Sequence, residues 1–354
     1  MSEKRDFVKS RGIMFADRTR AFLGISASEF TVAMMLGMIA VPLGLTLHAV
    51  RTPAIIKVNS ANPTPHGYTI SLLLFIWPAS IIALWLLPKA QLPRRAFFVT
   101  IGCLFPIGAS LDFFFAKDFL YFKNPSATLG WNIPTLNGSV PIEEFVFYLA
   151  GFTAVLLLYI WCDEEWLRAY RTSDYRAAFH DKSKLVHFHY ESLVIGIALI
   201  ASGMLYKSAF SPTRGGFPGY FTFLVCTAIV PSVAFSSSVR NVINWRAFSL
   251  TLFIVLLISM SWEATLAIPY GWWGYQSGEM LGLVVGAWSG LPIEAVIVWL
   301  SVTYVTIITF EVCKLWHASG EPARKAFLGH RGATPHGNDL HDPSKDRYPP
   351  STSY

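Results

Sequence analysis

Apolar stretches of about 20 residues recur along the chain, and each is about as long as a helix needs to be to cross the hydrocarbon core of a bilayer. Of the 354 residues, 53% are hydrophobic and only 14% are charged, whereas a soluble domain carries about 25% charged residues. The stretches predict an all-α integral membrane protein with eight transmembrane helices. The predicted spans are 32–50, 69–87, 96–115, 141–161, 192–209, 218–238, 247–269 and 291–313.

The Lys and Arg residues are distributed unevenly between the segments that connect these spans. Of the 28, 22 lie on the side of the predicted topology that holds both termini, and 6 lie on the other side. Because basic segments are retained on the cytoplasmic side, we expect a multi-pass protein with both termini in the cytoplasm. The formal net charge of +6 is explained by these flanking residues and does not indicate a nucleic-acid partner.

An internal duplication relates the two halves of the chain at an offset of 151 positions. Several matches at one offset predict two copies of one unit, here two parallel four-helix repeats covering 1–175 and 176–317. Residues 163–190 are predicted to be a solvated connector, and residues 318–354 a disordered cytoplasmic tail. The matched pairs include Pro141-Ile142-Glu143-Glu144 with Pro292-Ile293-Glu294-Ala295, Ser110-Leu111-Asp112 with Ser261-Trp262-Glu263, and Cys162 with Cys313.

The duplication repeats a set of acids beside or within the apolar spans. Parallel repeats place equivalent residues at the same depth, so we expect the acids to share one layer, and ionisable groups inside a membrane usually mark function. A glutamate in the first turn of a helix can also simply accept free backbone N–H groups, and for each such residue taken alone this structural role stays open. The acids are Asp112, Glu143, Glu263 and Glu294, with Glu144 beside them.

Aromatic residues are frequent around these acids. Their π-faces could stabilise a carbocation, although a position in the aromatic belt at the membrane interface also accounts for several of them, Trp273 among these. The residues expected to line a substrate site and stabilise a cation are Trp262, Phe115, Tyr148, Trp131 and Trp273.

Other chemistries lack their sequence motifs. The sequence has no dinucleotide-binding glycine motif after a strand, no Walker loop, no HExxH and no GxSxG. The four cysteines show no CxxC spacing and are expected to be buried thiols rather than disulfides or metal ligands. We therefore predict neither a metal nor a cofactor, which leaves proton chemistry on an apolar substrate or proton-linked transport.

At the Pro-Ile-Glu stretches, over about residues 65–315, the chain resembles the membrane lycopene cyclase family. The resemblance implies redox-neutral cyclisation of a linear isoprenoid, with Glu143, Glu144 and Glu294 as motif acids. It also implies that a monomer suffices, since both halves are in one chain. Two features depart from the family: Ala295 replaces the second motif acid, and each half has four predicted helices where the family has three.

The leading hypothesis is an isoprenoid cyclase whose principal acid/base pair is Glu143 and Glu294, assisted by Asp112, Glu144 and Glu263. Its substrate could be a lycopene-like carotenoid or another terpenoid, and the sequence does not say which acid donates the proton. Two alternatives stay open: a proton-coupled transporter with a central carboxylate site, and a membrane scaffold that binds lipid or carotenoid without catalysis.

Overall fold

The computed structural model describes residues 65–89, 94–170, 175, 179, 185–187, 189–229, 235 and 237–329. In these ranges the chain is mostly helical, and six helices are long and apolar enough to cross a membrane. The architecture is therefore that of a helical multi-pass membrane protein. The predicted span at 32–50 lies outside the described residues.

The helices and strands are labelled in chain order. The helices are α1 (Gly67–Leu86), α2 (Arg94–Phe119), α3 (Ile142–Trp161), α4 (Tyr190–Phe210), α5 (Gly219–Leu224), α6 (Trp245–Trp262), α7 (Ile293–Ser319) and α8 (Ala323–Leu328). The strands are β1 (Leu120–Tyr121), β2 (Asn132–Thr135), β3 (Gly138–Pro141), β4 (Gly274–Tyr275), β5 (Val284–Val285) and β6 (Leu291–Pro292).

Three helices continue as a single π-helical turn: α3 through Cys162–Trp166, α5 through Val225–Ile229, and α6 through Glu263–Ala267. Such turns insert one residue into the helical repeat and are frequent at functional sites. The predicted span at 218–238 corresponds to α5 and its π-turn, which are described only as far as residue 229.

Local sequence explains where the long helices begin and end. Helices α3 and α7 each begin directly after a proline, Pro141 and Pro292, whose fixed φ suits the entry to a helix. The N-cap of α6 is Asn244, whose side chain accepts the N–H of Ala247, as a favourable N-cap does. Helix α7 ends at Gly320 with φ 69°, the left-handed conformation that glycine adopts without strain.

Helices α3 and α7 occupy the centre of the bundle. Helix α3 packs against α1, α2, α6 and α7, and α7 also packs against α2, α5 and α6. The largest cluster of buried apolar side chains, which includes Leu156, Ile160, Ile307 and Phe310, lies between these helices.

Short antiparallel strand pairs cover one end of the bundle. The β2–β3 hairpin leads into α3 and the β5–β6 pair leads into α7. Strand β1, directly after α2, pairs with β4, which follows α6, with Leu120 opposite Tyr275. This last pairing ties together segments that are more than 150 positions apart in the sequence, and it fixes the loops that close this end of the bundle.

The start of the predicted solvated connector is instead buried. Asp163 is 3% and Glu164 is 9% exposed, because α3 continues through them as its π-turn. Asp163 accepts a hydrogen bond from Asn244 at 3.0 Å and lies 3.7 Å from the ammonium of Lys314. The prediction was wrong here because the sequence gives no sign of the buried partners that compensate the charge.

The beginning of the predicted disordered tail is also ordered. Helix α7 runs on to Ser319, and α8 covers Ala323–Leu328. Ala326 is buried, and its carbonyl accepts the backbone N–H of Leu185. Residues 318–329 therefore pack against the bundle, and the remainder of the predicted tail lies outside the described residues.

The cysteine prediction is confirmed for two residues of the four. All four are free thiols, with Cys162 and Cys313 buried and Cys103 and Cys226 exposed.

Candidate active site

Five acids lie buried at the end of the bundle that carries the strand pairs. The exposed fraction is 5% or less for each of Asp112, Glu143, Glu144, Glu263 and Glu294. Glu144 interacts electrostatically with Asp112, Glu143 and Glu263, and the Tyr220 hydroxyl does so with Asp112, Glu144, Glu263 and Glu294. The structure therefore brings together the acids that the sequence singled out.

Two of these acids line one cavity, which we call the acid cavity. Glu144 comes from the first turn of α3, and Glu263 comes from the π-turn that ends α6. The cavity has a volume of about 50 Å³, which is room for more than one water molecule, since one needs about 10–15 Å³. Two carboxyl groups from opposite halves of the chain thus line one small cavity.

Aromatic hydroxyl groups surround the same cavity. Tyr68, Tyr148, Tyr220 and Tyr275 all line it. Tyr68 donates a hydrogen bond to Oε1 of Glu144 at 2.8 Å. Sequence reasoning missed Tyr68, Tyr220 and Tyr275 as site residues. Gly67-Tyr68 and Gly219-Tyr220 nevertheless match at an offset of 152 positions, which is the signal that could have identified two of them.

Glu263 has a donor on each of its carboxylate oxygens. The Tyr275 hydroxyl donates to Oε2 and the Trp299 indole N–H donates to Oε1, both at 2.7 Å. Burial, followed by the negative field of Glu263, raises the pKa of the Tyr275 hydroxyl well above its usual range, so Tyr275 keeps its proton as a donor. Both oxygens of this buried carboxyl group are therefore satisfied by donors, which offsets part of the cost of burying it.

Asp112 is held much less firmly. Its Oδ1 accepts a hydrogen bond from Tyr148 at 3.4 Å, near the limit for such a bond. Its Oδ2 has no partner among the described residues. Asp112 does not itself line the acid cavity and reaches it through Tyr148, which does.

Glu143 and Glu294, the predicted principal pair, both bind backbone. Oε1 of Glu143 accepts the N–H of Leu129 at 2.7 Å and the hydroxyl of Thr69 at 2.6 Å. Oε1 of Glu294 accepts the N–H of Leu281 at 2.6 Å. Neither glutamate lines the acid cavity. Each instead binds the loop that precedes its helix, a structural role different from the capping of the helix start that the sequence left open.

Lys207 donates hydrogen bonds to the same loop that Glu294 binds, at Gly278 and Met280. Sequence reasoning did not identify it as a site residue. Its ammonium group is buried and donates to the carbonyls of Gly278 and Met280. It also interacts electrostatically with Glu279 and Glu294. The Lys207 ammonium group therefore offsets part of the negative charge of the buried acids beside it.

Three of the five aromatic residues predicted to stabilise a cation lie at or beside the acid cavity. Tyr148 and Trp273 line it, and the ring of Trp262 lies 4.9 Å from that of Trp273 and 5.5 Å from that of Phe147. The other two are not brought to it. Phe115 is 42% exposed and packs on Phe119 and Phe223, and Trp131 is 69% exposed.

A second, apolar cavity adjoins the first, and we call it the apolar groove. It has a volume of about 90 Å³ and lies between α1, α3 and α6. The polar groups in its lining are the Ser259 hydroxyl and the indole N–H groups of the tryptophans. Phe147, Gly151 and Trp299 line both cavities, so the two are contiguous.

Within the described ranges, no group of three or more His, Cys, Asp or Glu residues is placed to hold a metal ion. The chain matches no protein-family model, no curated protein and no solved structure.

Proposed function

We propose that this chain is a membrane-embedded isoprenoid cyclase that works by acid/base chemistry without a net change of redox state. One observation carries the proposal: Glu144 and Glu263 line a single aromatic-walled cavity that is contiguous with an almost wholly apolar groove. Proton donor, proton acceptor and hydrocarbon site are thus adjacent, as alkene cyclisation requires.

Glu144 is proposed to be the proton donor. It lies in the electrostatic field of Asp112, Glu143 and Glu263, and carboxyl groups crowded in a low dielectric cannot all be ionised. Its carboxyl proton would pass to a terminal alkene of the substrate and leave a tertiary carbocation. An internal alkene would then attack the cation, forming a carbon–carbon bond and moving the positive charge into the new ring.

Glu263 is proposed to be the acceptor. Each of its carboxyl oxygens accepts a short hydrogen bond, and these donors would stabilise the carboxylate form in which Glu263 accepts the proton. Removal of a proton from the carbon next to the cation would restore an alkene. One proton is donated and one is removed, so the product is an isomer of the substrate, and the two acids return to their starting states by proton transfer from Glu263 to Glu144.

The aromatic walls would stabilise the cation between these two steps. The rings of Phe147, Trp273 and Trp299 line the cavity with Glu144 and Glu263, and an aromatic face attracts a cation more strongly when both are desolvated. Glu143 and Glu294 are assigned as positioning residues, because each anchors the loop that closes the cavity end of its helix.

We also propose that the chain consists of two parallel four-helix repeats with both termini in the cytoplasm. The offset of 151 positions recurs between the first residues of α2 and α6, Arg94 and Trp245, and between those of α3 and α7. Helices α1 and α5 begin 152 positions apart, at Gly67 and Gly219. The predicted spans at 32–50 and 218–238 complete the proposed set of eight.

Expression in cells that accumulate lycopene, followed by product analysis, tests the proposal, and linear prenyl alcohols of graded length extend the test to shorter substrates. We expect a ring-containing isomer of the substrate, and we expect Glu263→Gln to abolish its formation. Glu191→Gln, at the exposed start of α4, is the matched control and should retain activity. Full activity in Glu263→Gln would contradict the proposal, as would proton flux in proteoliposomes without any product.

A further inference from the structure

The apolar groove is the hydrocarbon site of the function proposed above, and its lining bears on which substrates it can hold. Along α3 its lining runs from Phe147 to Trp161, which at a rise of about 1.5 Å per residue is about 21 Å. That is about two thirds of the thickness of the hydrocarbon core of a bilayer. The groove itself has a volume of only about 90 Å³, less than the roughly 150 Å³ of a cavity that holds benzene, so it suits a narrow extended chain better than a compact ring.

Gly151 lines both cavities. A Cβ atom added there would find no atom of the described residues within 4 Å, so space is open beside this position. Ala154 follows on the same face of α3, and Ala79 lines the groove from α1. Small residues on two helices thus leave room in the groove.

We infer that the apolar groove binds the unreacted tail of a linear isoprenoid, and that the small residues Ala79, Gly151 and Ala154 set the chain length the protein accepts. The inference rests on the proposed function and adds to it a site and a basis for selectivity. The lining contains no charged side chain, so a phosphate or carboxylate at the far end of the tail would be left uncompensated.

An isoprenoid is favoured over the acyl chain of a lipid by the groove's aromatic end. Phe147, Trp262 and Trp299 line the end of the groove that borders the acid cavity, with the Phe147 ring 5.5 Å from each of the other two. A tail held there extends its terminal alkene towards Glu144 and Glu263. A saturated acyl chain has no group on which these acids could act.

The test uses the full chain in phosphatidylcholine nanodiscs with diazirine-tagged geraniol and geranylgeraniol as probes. We expect the long probe to label peptides of α1, α3 and α6 that line the groove. Ala154→Phe should weaken labelling by the long probe about tenfold, equivalent to about 1.4 kcal/mol, and leave labelling by the short probe near the acid cavity. The matched control is Ala198→Phe, on an exposed face of α4, which should change neither.

Ala79→Leu, from the facing helix, provides a smaller obstruction in case Ala154→Phe does not fold, and it should shift the preference in the same direction. Unchanged labelling in folded Ala154→Phe and Ala79→Leu would overturn the inference. So would competition by excess palmitate that is as effective as competition by unlabelled geranylgeraniol, or crosslinking that shows the groove filled by another part of this chain.

These outcomes are separable from a failure of the proposed function. If the long probe labels the groove and responds to Ala154→Phe while no cyclised product forms, the tail site stands and the catalytic proposal fails. If a product forms but neither Ala154→Phe nor Ala79→Leu changes how product yield depends on substrate length, the catalytic proposal stands and the tail site fails.

Discussion

The indole of Trp299 donates its N–H to Oε1 of Glu263 across 2.7 Å, between residues 36 positions apart in the sequence. The hydroxyl of Tyr148 makes the corresponding contact with Asp112, also 36 positions away, but across 3.4 Å. The two pairs lie 151 positions apart in the sequence and each joins an acid to an aromatic donor, but only the Trp299–Glu263 bond is short. This difference supports different roles for the two acids.

Trp299→Phe should impair the protein more than Tyr148→Phe does. The first change leaves Oε1 of a buried carboxylate without a donor, which costs about 1–3 kcal/mol, whereas the second removes a long contact of small value. We expect a clear fall in the thermal unfolding temperature and in product formation for Trp299→Phe only. Thermal unfolding in detergent and product assays on both variants check this, and equal losses would contradict it.

Glu143 and Glu144 are neighbours with different expected responses to the same substitution. Glu144→Gln removes the proposed transferable proton, and general acid catalysis is typically worth about 10²–10⁴ in rate, so product should fall by about that factor. Glu143→Gln keeps a carbonyl oxygen that can accept the N–H of Leu129 and should remain within a few-fold of the wild type.

Glu143→Ala separates positioning from catalysis. It leaves the Leu129 N–H without its acceptor, and we expect a loss of about 1–3 kcal/mol in stability with partial activity in the folded fraction. Product assays normalised to folded protein check both residues together. Loss of all activity in a well-folded Glu143→Gln variant would return Glu143 to the catalytic role that the sequence suggested.

Gly108→Ala should disturb the site without touching an acid. A Cβ there would lie 2.7 Å from Cδ1 of Tyr148 and 3.2 Å from Cε2 of Phe152, so the Tyr148 ring must move away from Asp112. Overpacking of this kind costs about 1–3 kcal/mol. Gly102→Ala, on the same helix with no other atom within 4 Å, is the control and should be neutral or stabilising by up to about 1 kcal/mol. Melting temperatures of the two variants test this difference in stability. Equal values would show that α2 and α3 can move apart without loss of stability.

Much of the helical layout could be predicted from sequence because its cause is local. Hydropathy located the helices that begin at Gly67, Arg94, Ile142, Tyr190, Trp245 and Ile293 to within a few residues. Pro141 and Pro292 indicated two of these starts, because the fixed φ of proline suits the first turn of a helix. The clustering of Asp112, Glu143, Glu144, Glu263 and Glu294 was also predicted, from matches at an offset of 151 positions that would place equivalent acids at one depth.

Which of these acids line the acid cavity and which bind backbone could not be predicted in the same way. Whether a first-turn glutamate faces a cavity or the preceding loop depends on where that loop returns, and Leu129 and Leu281 return to Glu143 and Glu294. The π-turn at Glu263 and the donors Tyr275 and Trp299 likewise depend on tertiary packing. Phe115 and Trp131 were grouped with the site by proximity in sequence, yet the structure places them at the exterior.

The last prediction concerns the opposite end of the bundle, where Asp163 and Lys314 carry opposite charges at positions related by the 151-residue offset. Lys314 lies 2.9 Å from Glu311 and 3.7 Å from Asp163, all three side chains being 4% exposed or less. Removing one member of a buried charge group leaves the others uncompensated, at a typical cost of about 3–5 kcal/mol. Lys314→Met should therefore destabilise the folded protein severely.

The matched control is Lys325→Met, which removes the partner of Glu321 in a pair that is about one third exposed and is worth at most about 1 kcal/mol. Adding Asp163→Asn and Glu311→Gln to Lys314→Met removes the uncompensated charges and should restore part of the lost stability, because the penalty comes from unpaired charge rather than from lost contact area. Thermal unfolding of the four proteins in one detergent measures this. A Lys314→Met variant as stable as Lys325→Met would mean that water reaches Asp163 and Glu311, and that this end of the two halves is not held together by their charges.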